Sequence, residues 1–216
     1  MLSCDTAILS TTELATLAGS DGVTNYRTTV DADGVVTRET ASVDNLKVTV
    51  TSTRTRVHGS VSSYIYGSNF PGVDFDPADV GPALDDIAGR IGLPTSAVRD
   101  ARVSQLDAAV DVVVPRPVPT YVAAVSGPPG FNTLAFSDSS VAFTNTLVKL
   151  AVYDKVAERR ARRQTVPERY EGTNVVRFEV RFKRPARTLE HALRAEMMSE
   201  PTFYDEVAGH VMGRFE

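Results

Sequence analysis

The sequence contains a single cysteine, Cys4, among its 216 residues. One cysteine excludes an internal disulfide and a cysteine-rich zinc site. No apolar run approaches the roughly 18 residues that suggest a membrane-spanning helix. Residues 1–20 also lack the basic segment and long apolar stretch of a secretory signal. We therefore expect a cytoplasmic protein with no membrane partner, long enough to bury a substantial core in one α+β domain.

The charge distribution is uneven, although the net charge of −4 is unremarkable. Residues 1–145 contain nine Lys and Arg against sixteen Asp and Glu, whereas residues 149–187 contain twelve against five. A strongly basic stretch in an otherwise acidic chain favours a local surface for a polyanion. Its densest part is Arg159, Arg160, Arg162 and Arg163. The alternative for these four arginines is a solvated charged helix.

Turn signals and hydrophobic periodicity predict a mixed order of strands and helices. The predicted elements are a hairpin around Asp33-Gly34, a long strand over 46–57, a short strand or loop over 59–70, a helix over 76–91, strands over 103–114, 133–136, 141–143 and 146–153, a basic helix over 154–163, a strand over 174–183 and a helical C-terminal segment interrupted by Pro201. Because tight hairpins dominate, the pattern predicts a central antiparallel sheet with helices packed on one face. We assign residues 1–187 to this domain and residues 188–216 to a C-terminal helical segment, either an appendage or a truncated continuation.

Three of the predicted strands have one wholly apolar and one polar face, because strand residues alternate between the two faces. The polar faces carry Asp107 in the first strand, Tyr153 in the second, and Arg177, Glu179 and Arg181 in the third. The pattern predicts an open polar sheet surface on which these groups converge. A merely solvated sheet face of an unrelated structural or interaction domain gives the same alternation.

The residue types on this face suit metal-assisted chemistry on DNA. Carboxylates are hard oxygen ligands for Mg²⁺ or Mn²⁺, and Arg and Lys hold phosphates. A tyrosine hydroxyl near a bound cation can act as a nucleophile, because the cation favours the phenolate. The metal can also polarise a phosphodiester oxygen.

Four segments resemble motifs of one protein family, and they occur in that family's order. They are 59–69 (similar to "GS-kyl-G-N"), Leu106-Asp107 to Asp111 (similar to "iDlavD"), Tyr153-Asp154-Lys155 with Glu158 ("YDK…E"), and 174–182 (similar to "LRFE-R"). The chain thus resembles the phage and plasmid rolling-circle replication initiators, in particular the filamentous-phage gene II and gene X replication proteins. The resemblance covers about residues 57–183.

This resemblance implies an HUH-nuclease-like sheet and an endonuclease that nicks and rejoins one DNA strand at a replication origin. A tyrosine attacks the phosphodiester, forms a 5′-phosphotyrosine link and frees a 3′-hydroxyl. The implied cofactor is Mg²⁺ or Mn²⁺, and the implied partners are single-stranded or cruciform origin DNA together with a host helicase and polymerase. The alternative is a non-catalytic single-stranded-DNA-binding replication regulator of the same fold.

The motif matches imply roles for individual residues. They imply Tyr153 as the nucleophile with Lys155 beside it, Asp107, Glu179 and Asp154 as metal ligands, and Arg159, Arg160, Arg162, Arg163, Arg177, Arg181 and Lys183 as DNA contacts. Alternation directs Asp154 away from Tyr153 unless the strand ends or bulges there. Lys155 and Arg177 either hold phosphates or steady the carboxylates, and Glu158 is placed to pair with Arg162 on the helix.

The sequence departs from the family in its histidines. Many rolling-circle nucleases bind the metal through a His-hydrophobic-His pair, whereas this chain has only His58, His191 and His210, which form no such pair. His58 is then either a lone metal ligand or an ordinary polar residue. A mainly carboxylate metal site is the expectation that remains.

Overall fold

The computed structural model describes residues 2–70 and 75–212. Within them, ten strands form one antiparallel sheet in the order β2-β3-β4-β5-β1-β6-β10-β9-β8-β7. The strands are β1 (Ser3–Thr11), β2 (Val23–Val30), β3 (Val36–Val43), β4 (Leu46–Thr51), β5 (Arg54–Ser60), β6 (Arg102–Val114), β7 (Asn132–Ser137), β8 (Ser140–Thr144), β9 (Val148–Asp154) and β10 (Asn174–Phe182). The predicted mixed α and β architecture with a large antiparallel sheet is confirmed.

Seven α-helices accompany the sheet in the described residues. They are α1 (Val61–Tyr66), α2 (Val80–Arg90), α3 (Thr95–Arg99), α4 (Val118–Val122), α5 (Lys155–Ala161), α6 (Pro185–Thr188) and α7 (Pro201–Met212). The structure has no described helix that is both long and apolar enough to cross a membrane.

Two predictions for the N-terminal half are wrong, and local turn chemistry explains both. The strand predicted over 46–57 is two strands, β4 and β5, which pair with each other across a tight turn. The segment predicted as a strand or loop over 59–70 contains helix α1. The Ser60 side chain caps this helix by accepting from the Ser63 amide, and Gly67 ends it with φ 71°. A side-chain cap and a left-handed glycine together define a helix even in a Gly- and Ser-rich segment.

The central strand β1 is absent from the sequence prediction. It pairs with β5 on one side and β6 on the other, both far away in the chain. Its register with β6 shifts between Cys4 and Thr6, so that Asp5 is the extra residue of a bulge. The bulge interrupts the alternation that marks a strand in a sequence. Cys4 is fully buried here.

The main core lies between one face of the sheet and the layer of helices. Buried apolar residues of the central strands, such as Leu106, Leu150 and Phe182, belong to the same core cluster as Leu84 and Ile87 of α2. A smaller cluster contains Phe70, Val156 of α5, Val166 and Val175. Val175 precedes the core residue Val176, so alternation directs it to the opposite face of the sheet. Helix α5 therefore covers part of the face that the sequence pattern leaves open.

The C-terminal segment joins the same main core as far as the structure describes it, through residue 212. Leu193, Met198, Phe203 and Val207 are buried in that core. Pro201 begins α7 instead of interrupting a helix, since proline fits the first helical turn.

Candidate active site

The strands β6, β10 and β9 are neighbours in the sheet, and their register aligns the polar residues predicted from the sequence. Arg177 of β10 lies opposite Asp111 of β6 and Tyr153 of β9. Two rows further along, Arg181 lies opposite Asp107. Glu179 occupies the row between them. Antiparallel pairing therefore brings the predicted tyrosine, carboxylates and cations onto one sheet face.

Tyr153 and Glu179 contact each other directly. The Tyr153 hydroxyl donates a hydrogen bond to Glu179 Oε2 at 2.9 Å. Burial raises the pKa of Tyr153, and the negative charge of Glu179 raises it further. Burial also raises the pKa of Glu179, as does the carboxylate of Asp5. The resting tyrosine is therefore a neutral phenol held against a carboxylate that is more basic than usual.

Asp107 is almost fully buried, with 1% of its surface exposed. The guanidinium of Arg181 contacts both of its oxygens, with Nε 2.8 Å from Oδ1 and Nη2 2.5 Å from Oδ2. Burial raises the pKa of Asp107, and the contact with Arg181 opposes this rise without cancelling it. The positive charge of Arg181 therefore offsets only part of the effect of burial on the Asp107 carboxylate.

Asp5 is the site residue that sequence reasoning missed. Its carboxylate accepts from the Asn69 amide at 2.6 Å and from Nη1 of Arg177 at 3.3 Å. Asp5 is the extra residue of the β1 bulge. The short apolar run over 7–9 is a signal for a strand here, but the bulge breaks the alternation that would have assigned a face to Asp5.

Arg177 is the largest of the side chains that are fully buried. Its guanidinium donates to Asp111 at 2.7 Å, to Asp5, and to the carbonyl oxygen of Asn69. Of the two roles predicted for Arg177, this arrangement corresponds to steadying carboxylates. A phosphate would have to displace one of these partners to reach it.

Lys155 and Asp154 lie where β9 ends and α5 begins. Asp154 caps α5 by accepting from the Ala157 amide at 2.8 Å, and it does not contribute to the cleft that Tyr153 lines. Lys155 is the first residue of the helix and is 2% exposed. Its Nζ donates to Glu158 Oε2 at 3.1 Å. Burial lowers the pKa of Lys155, and the nearby Arg177 lowers it further.

A cleft of about 740 Å³ contains these groups, and we name it the Tyr153 cleft. Its floor carries Asp5, Asp107, Tyr153 and Glu179, and its other charged lining residues are Lys155, Glu158, Arg159, Arg162, Arg163 and Arg181. Neutral polar groups complete it, among them Asn45, Ser60 and Asn69. The cleft thus combines acidic and basic groups in a single polar cavity.

The basic residues of α5 differ in how freely they face this cleft. Arg162 is largely exposed and contacts Glu158 at 2.7 Å, which confirms the pair expected from the sequence. Arg159 donates to the Thr165 carbonyl and lies over the Phe70 ring at 5.2 Å. Arg163 lines the cleft just after the helix, whereas Arg160 contacts Glu171 and is not part of the lining.

Two further predicted residues lie on the same sheet face but outside the Tyr153 cleft. His58 of β5 is exposed and pairs with Ile8 of β1, one row away from Ser60. Lys183 donates to the Thr144 hydroxyl and the Asn145 carbonyl, both at 2.7 Å. Neither residue contacts the carboxylates of the floor.

The carboxylates of the floor fit a divalent cation by their chemistry. Within residues 2–70 and 75–212, no three His, Cys, Asp or Glu side chains are grouped closely enough to form a ready-made metal site. Asp5, Asp107 and Glu179 nevertheless line one cleft, and the negative charge of Asp5 raises the pKa of both other carboxyls. Three carboxylates that repel one another offer hard oxygen donors, and binding of Mg²⁺ or Mn²⁺ would relieve their repulsion.

No protein-family model matches the chain, and a search of curated proteins found no match either.

Proposed function

We propose that the protein is a DNA endonuclease that nicks and rejoins one strand by metal-assisted phosphodiester transfer to Tyr153. The observation that carries the proposal is the contact between the Tyr153 hydroxyl and Glu179 Oε2 at 2.9 Å. A nucleophile within hydrogen-bond distance of a base is the arrangement that covalent catalysis requires. The resemblance to rolling-circle initiators names the same tyrosine.

The proposed step begins with the phenol oxygen of Tyr153 attacking the phosphorus of a phosphodiester. The new bond joins this oxygen to phosphorus, and the bond between phosphorus and the 3′-oxygen breaks. The phenolic proton passes to Glu179, and the departing 3′-oxygen takes a proton from solvent water to become a hydroxyl. The product is a 5′-phosphotyrosine, and attack by a 3′-hydroxyl reverses the step and rejoins the strand.

The pKa shifts support Glu179 as the base in this step. Because burial raises the pKa of Tyr153, the free phenolate is disfavoured, and the proton must leave as the new bond forms. The raised pKa of Glu179 makes its carboxylate a better proton acceptor than an exposed glutamate. The positive charge of Arg177 lowers the pKa of Tyr153 and so also favours loss of the phenolic proton.

Asp5 and Asp107 would hold the divalent cation, and Glu179 accepts the phenolic proton. When bound, the cation would favour the phenolate and polarise a phosphodiester oxygen. This ligand set replaces the Asp154 of the motif by Asp5, since the Asp154 carboxylate caps α5.

The basic residues around the cleft supply the phosphate contacts. Arg162 and Arg163 line the cleft, and Arg162 is 67% exposed along its side chain. Guanidinium groups bind phosphate oxygens in two-pronged fashion. These contacts suit a DNA backbone. The setting that the resemblance implies is single-stranded or cruciform DNA at a cytoplasmic replication origin, with its helicase and polymerase.

The proposal is tested by trapping the covalent intermediate. The protein is incubated with Mn²⁺ and a pool of random-sequence single-stranded oligonucleotides, and the adduct is separated under denaturing conditions and sequenced. We expect a protein–DNA adduct whose linkage maps to the peptide that contains Tyr153, and no adduct from Tyr153→Phe.

Tyr121→Phe is the matched control, because Tyr121 lies in α4 among residues packed against the main core. It should form adduct as the wild type does. An equal adduct yield from Tyr153→Phe would refute the assignment of the nucleophile. DNA binding by the wild type with no adduct under any divalent cation would instead favour the non-catalytic replication regulator.

A further inference from the structure

Five arginines line a second cavity, of about 400 Å³, on the sheet. We name them the arginine cluster: Arg54, Arg56, Arg102, Arg184 and Arg187. All five are exposed, and they come from three separate parts of the chain, which the fold brings together. The lining of this cavity includes no Asp or Glu.

Six arginines outside the cluster are paired with carboxylates, whereas others, such as Arg38 and Arg116, form no salt bridge in the described residues. Arg90, Arg99, Arg160, Arg162, Arg177 and Arg181 each lie within 4.0 Å of an Asp or Glu oxygen. Among the residues that the structure describes, no salt bridge involves a member of the arginine cluster. Within the described parts of the chain, one hydrogen bond is made by a side chain of the cluster, from Arg56 Nε to the Ser10 hydroxyl at 3.3 Å.

Glu13 and Asp100 line an adjoining cavity with Arg54 and Arg102, although no salt bridge joins them in the described residues. The cluster thus gathers five positive charges in a protein with more acidic than basic residues, 27 against 23. Gathering five like charges costs repulsion that an anion would relieve. Guanidinium groups match phosphate oxygens in geometry as well as in charge. A group of arginines without acidic partners is therefore suited to a ligand with several phosphates.

The register places the cluster on the same sheet face as the Tyr153 cleft. Thr6 of β1 pairs with Asp107, and Ser10 on the same strand pairs with both Arg56 and Arg102. Arg102 precedes Asp107 by five positions along β6, which is roughly 17 Å at the usual rise of a strand. That distance exceeds the Debye length of about 8 Å at physiological salt. The carboxylates of the cleft therefore do not neutralise the cluster.

From these observations we infer that the arginine cluster is a second binding site for the phosphate backbone of a DNA strand that also occupies the Tyr153 cleft. A strand with a phosphate at every nucleotide can contact both places at once, whereas a small phosphate ligand occupies only one. The inference rests on the proposed function in taking DNA as the ligand, but it does not require Tyr153 to be a nucleophile.

The test measures binding of a fluorescent single-stranded oligonucleotide as a function of salt, in the Tyr153→Phe background so that no covalent product forms. The variant is Arg56→Gln/Arg187→Gln, and the matched control, Arg27→Gln/Arg116→Gln, removes the same charge from two exposed arginines outside the cluster. The slope of log K against log salt is negative, and each lost phosphate contact reduces its magnitude by about 0.7 for a single strand. We therefore expect a slope that is smaller in magnitude by about 1.4. The weakening should be uniform across oligonucleotide sequences.

An unchanged slope and affinity in the cluster variant would overturn the inference, and so would an equal decrease in the control. A parallel titration with inorganic phosphate separates the two sources of the ligand. Loss of phosphate binding in the cluster variant with no change for DNA would assign the cluster to a small phosphate compound. Failure of the adduct assay with a normal decrease in salt slope would refute the nuclease proposal and leave this inference standing.

Discussion

The Tyr153 cleft and the arginine cluster lie on one sheet face, yet their charged groups are arranged in opposite ways. In the cleft, buried ions contact ions of opposite sign, as Arg177 does with Asp5 and Asp111. In the cluster, five exposed arginines share a cavity that no carboxylate lines. The first region resembles a polar core, and the second resembles an open binding surface.

This difference separates charges that are stabilised by partners within the folded protein from charges that a bound ligand would stabilise. A buried charge must be paired within the protein, because its desolvation otherwise costs several kcal/mol. Exposed like charges are screened by water and salt, so the fold tolerates them without partners. Changes in the cleft should therefore alter stability, whereas changes in the cluster should alter only binding.

The largest expected effect is on Arg177. Arg177→Met leaves the buried Asp5 and the partly buried Asp111 without their cation. Removing one partner of a buried pair costs about 3–5 kcal/mol. The same substitution at Arg56 should change the free energy of unfolding by no more than about 0.5 kcal/mol. Chemical denaturation of the two variants compares them directly.

Arg160→Met is a second control, since its contact with Glu171 is an exposed ion pair. Such pairs contribute about 0–1 kcal/mol. If Arg177→Met and Arg160→Met lost similar stability, the contrast between buried and exposed charges would not hold, and Arg177 would be free to serve as a phosphate ligand.

A divalent cation should produce the next largest effect. Mn²⁺ at a hundred times its dissociation constant stabilises a protein by about 2.7 kcal/mol, which is roughly 5–10 °C in Tm for a chain of this size. We expect this gain in the wild type and its loss in Asp5→Asn and Asp107→Asn. Asparagine at either position removes a negative oxygen ligand without a large change in volume.

Asp154→Asn and His58→Gln test the ligands that the sequence motifs suggest and that lie outside the cleft. Asparagine caps a helix about as well as aspartate, so Asp154→Asn should keep both its stability and its response to Mn²⁺. A response that disappeared in Asp154→Asn and persisted in Asp5→Asn would restore the ligand set of the motif.

Period-two alternation in three strands was enough to predict the polar face on which Tyr153, Asp107 and Glu179 meet. It worked because β6, β10 and β9 pair without a bulge, so each residue keeps its face. Lys155 shows where the method stops, because the Asp154 cap ends the strand and turns the next residue into a helix. The exposure of a side chain after such a cap does not follow from alternation.

Asp5 and the arginine cluster could not be predicted in the same way. Strand β1 carries a bulge at Asp5, and its partners are more than 40 residues away in the chain. The cluster joins segments whose proximity depends on that strand, since Ser10 of β1 lies between Arg56 and Arg102. Long-range pairing, which a single sequence does not specify, creates both features.

The smallest expected effect concerns the pH dependence of stability and comes from Glu179. Its pKa in the folded protein is raised above the ordinary value of 4.5, first by burial and then by Asp5. Between those two pKa values the folded state binds more protons than the unfolded state, so stability falls as pH rises through that window and stays lower above it. Glu179→Gln removes this loss and keeps an oxygen that accepts from the Tyr153 hydroxyl.

The variant should therefore match the wild type below pH 4.5 and exceed its Tm by a few degrees at neutral pH, while forming no adduct. Thermal unfolding across this pH range, paired with the adduct assay, checks both halves. The pKa of Asp107 is also raised by burial, so some pH dependence should remain. A variant less stable than the wild type at neutral pH would mean that Glu179 stabilises the fold as an ion. The Glu179 carboxylate would then not be held in the cleft at a cost to stability. The reason to expect a base beside Tyr153 would be lost with it.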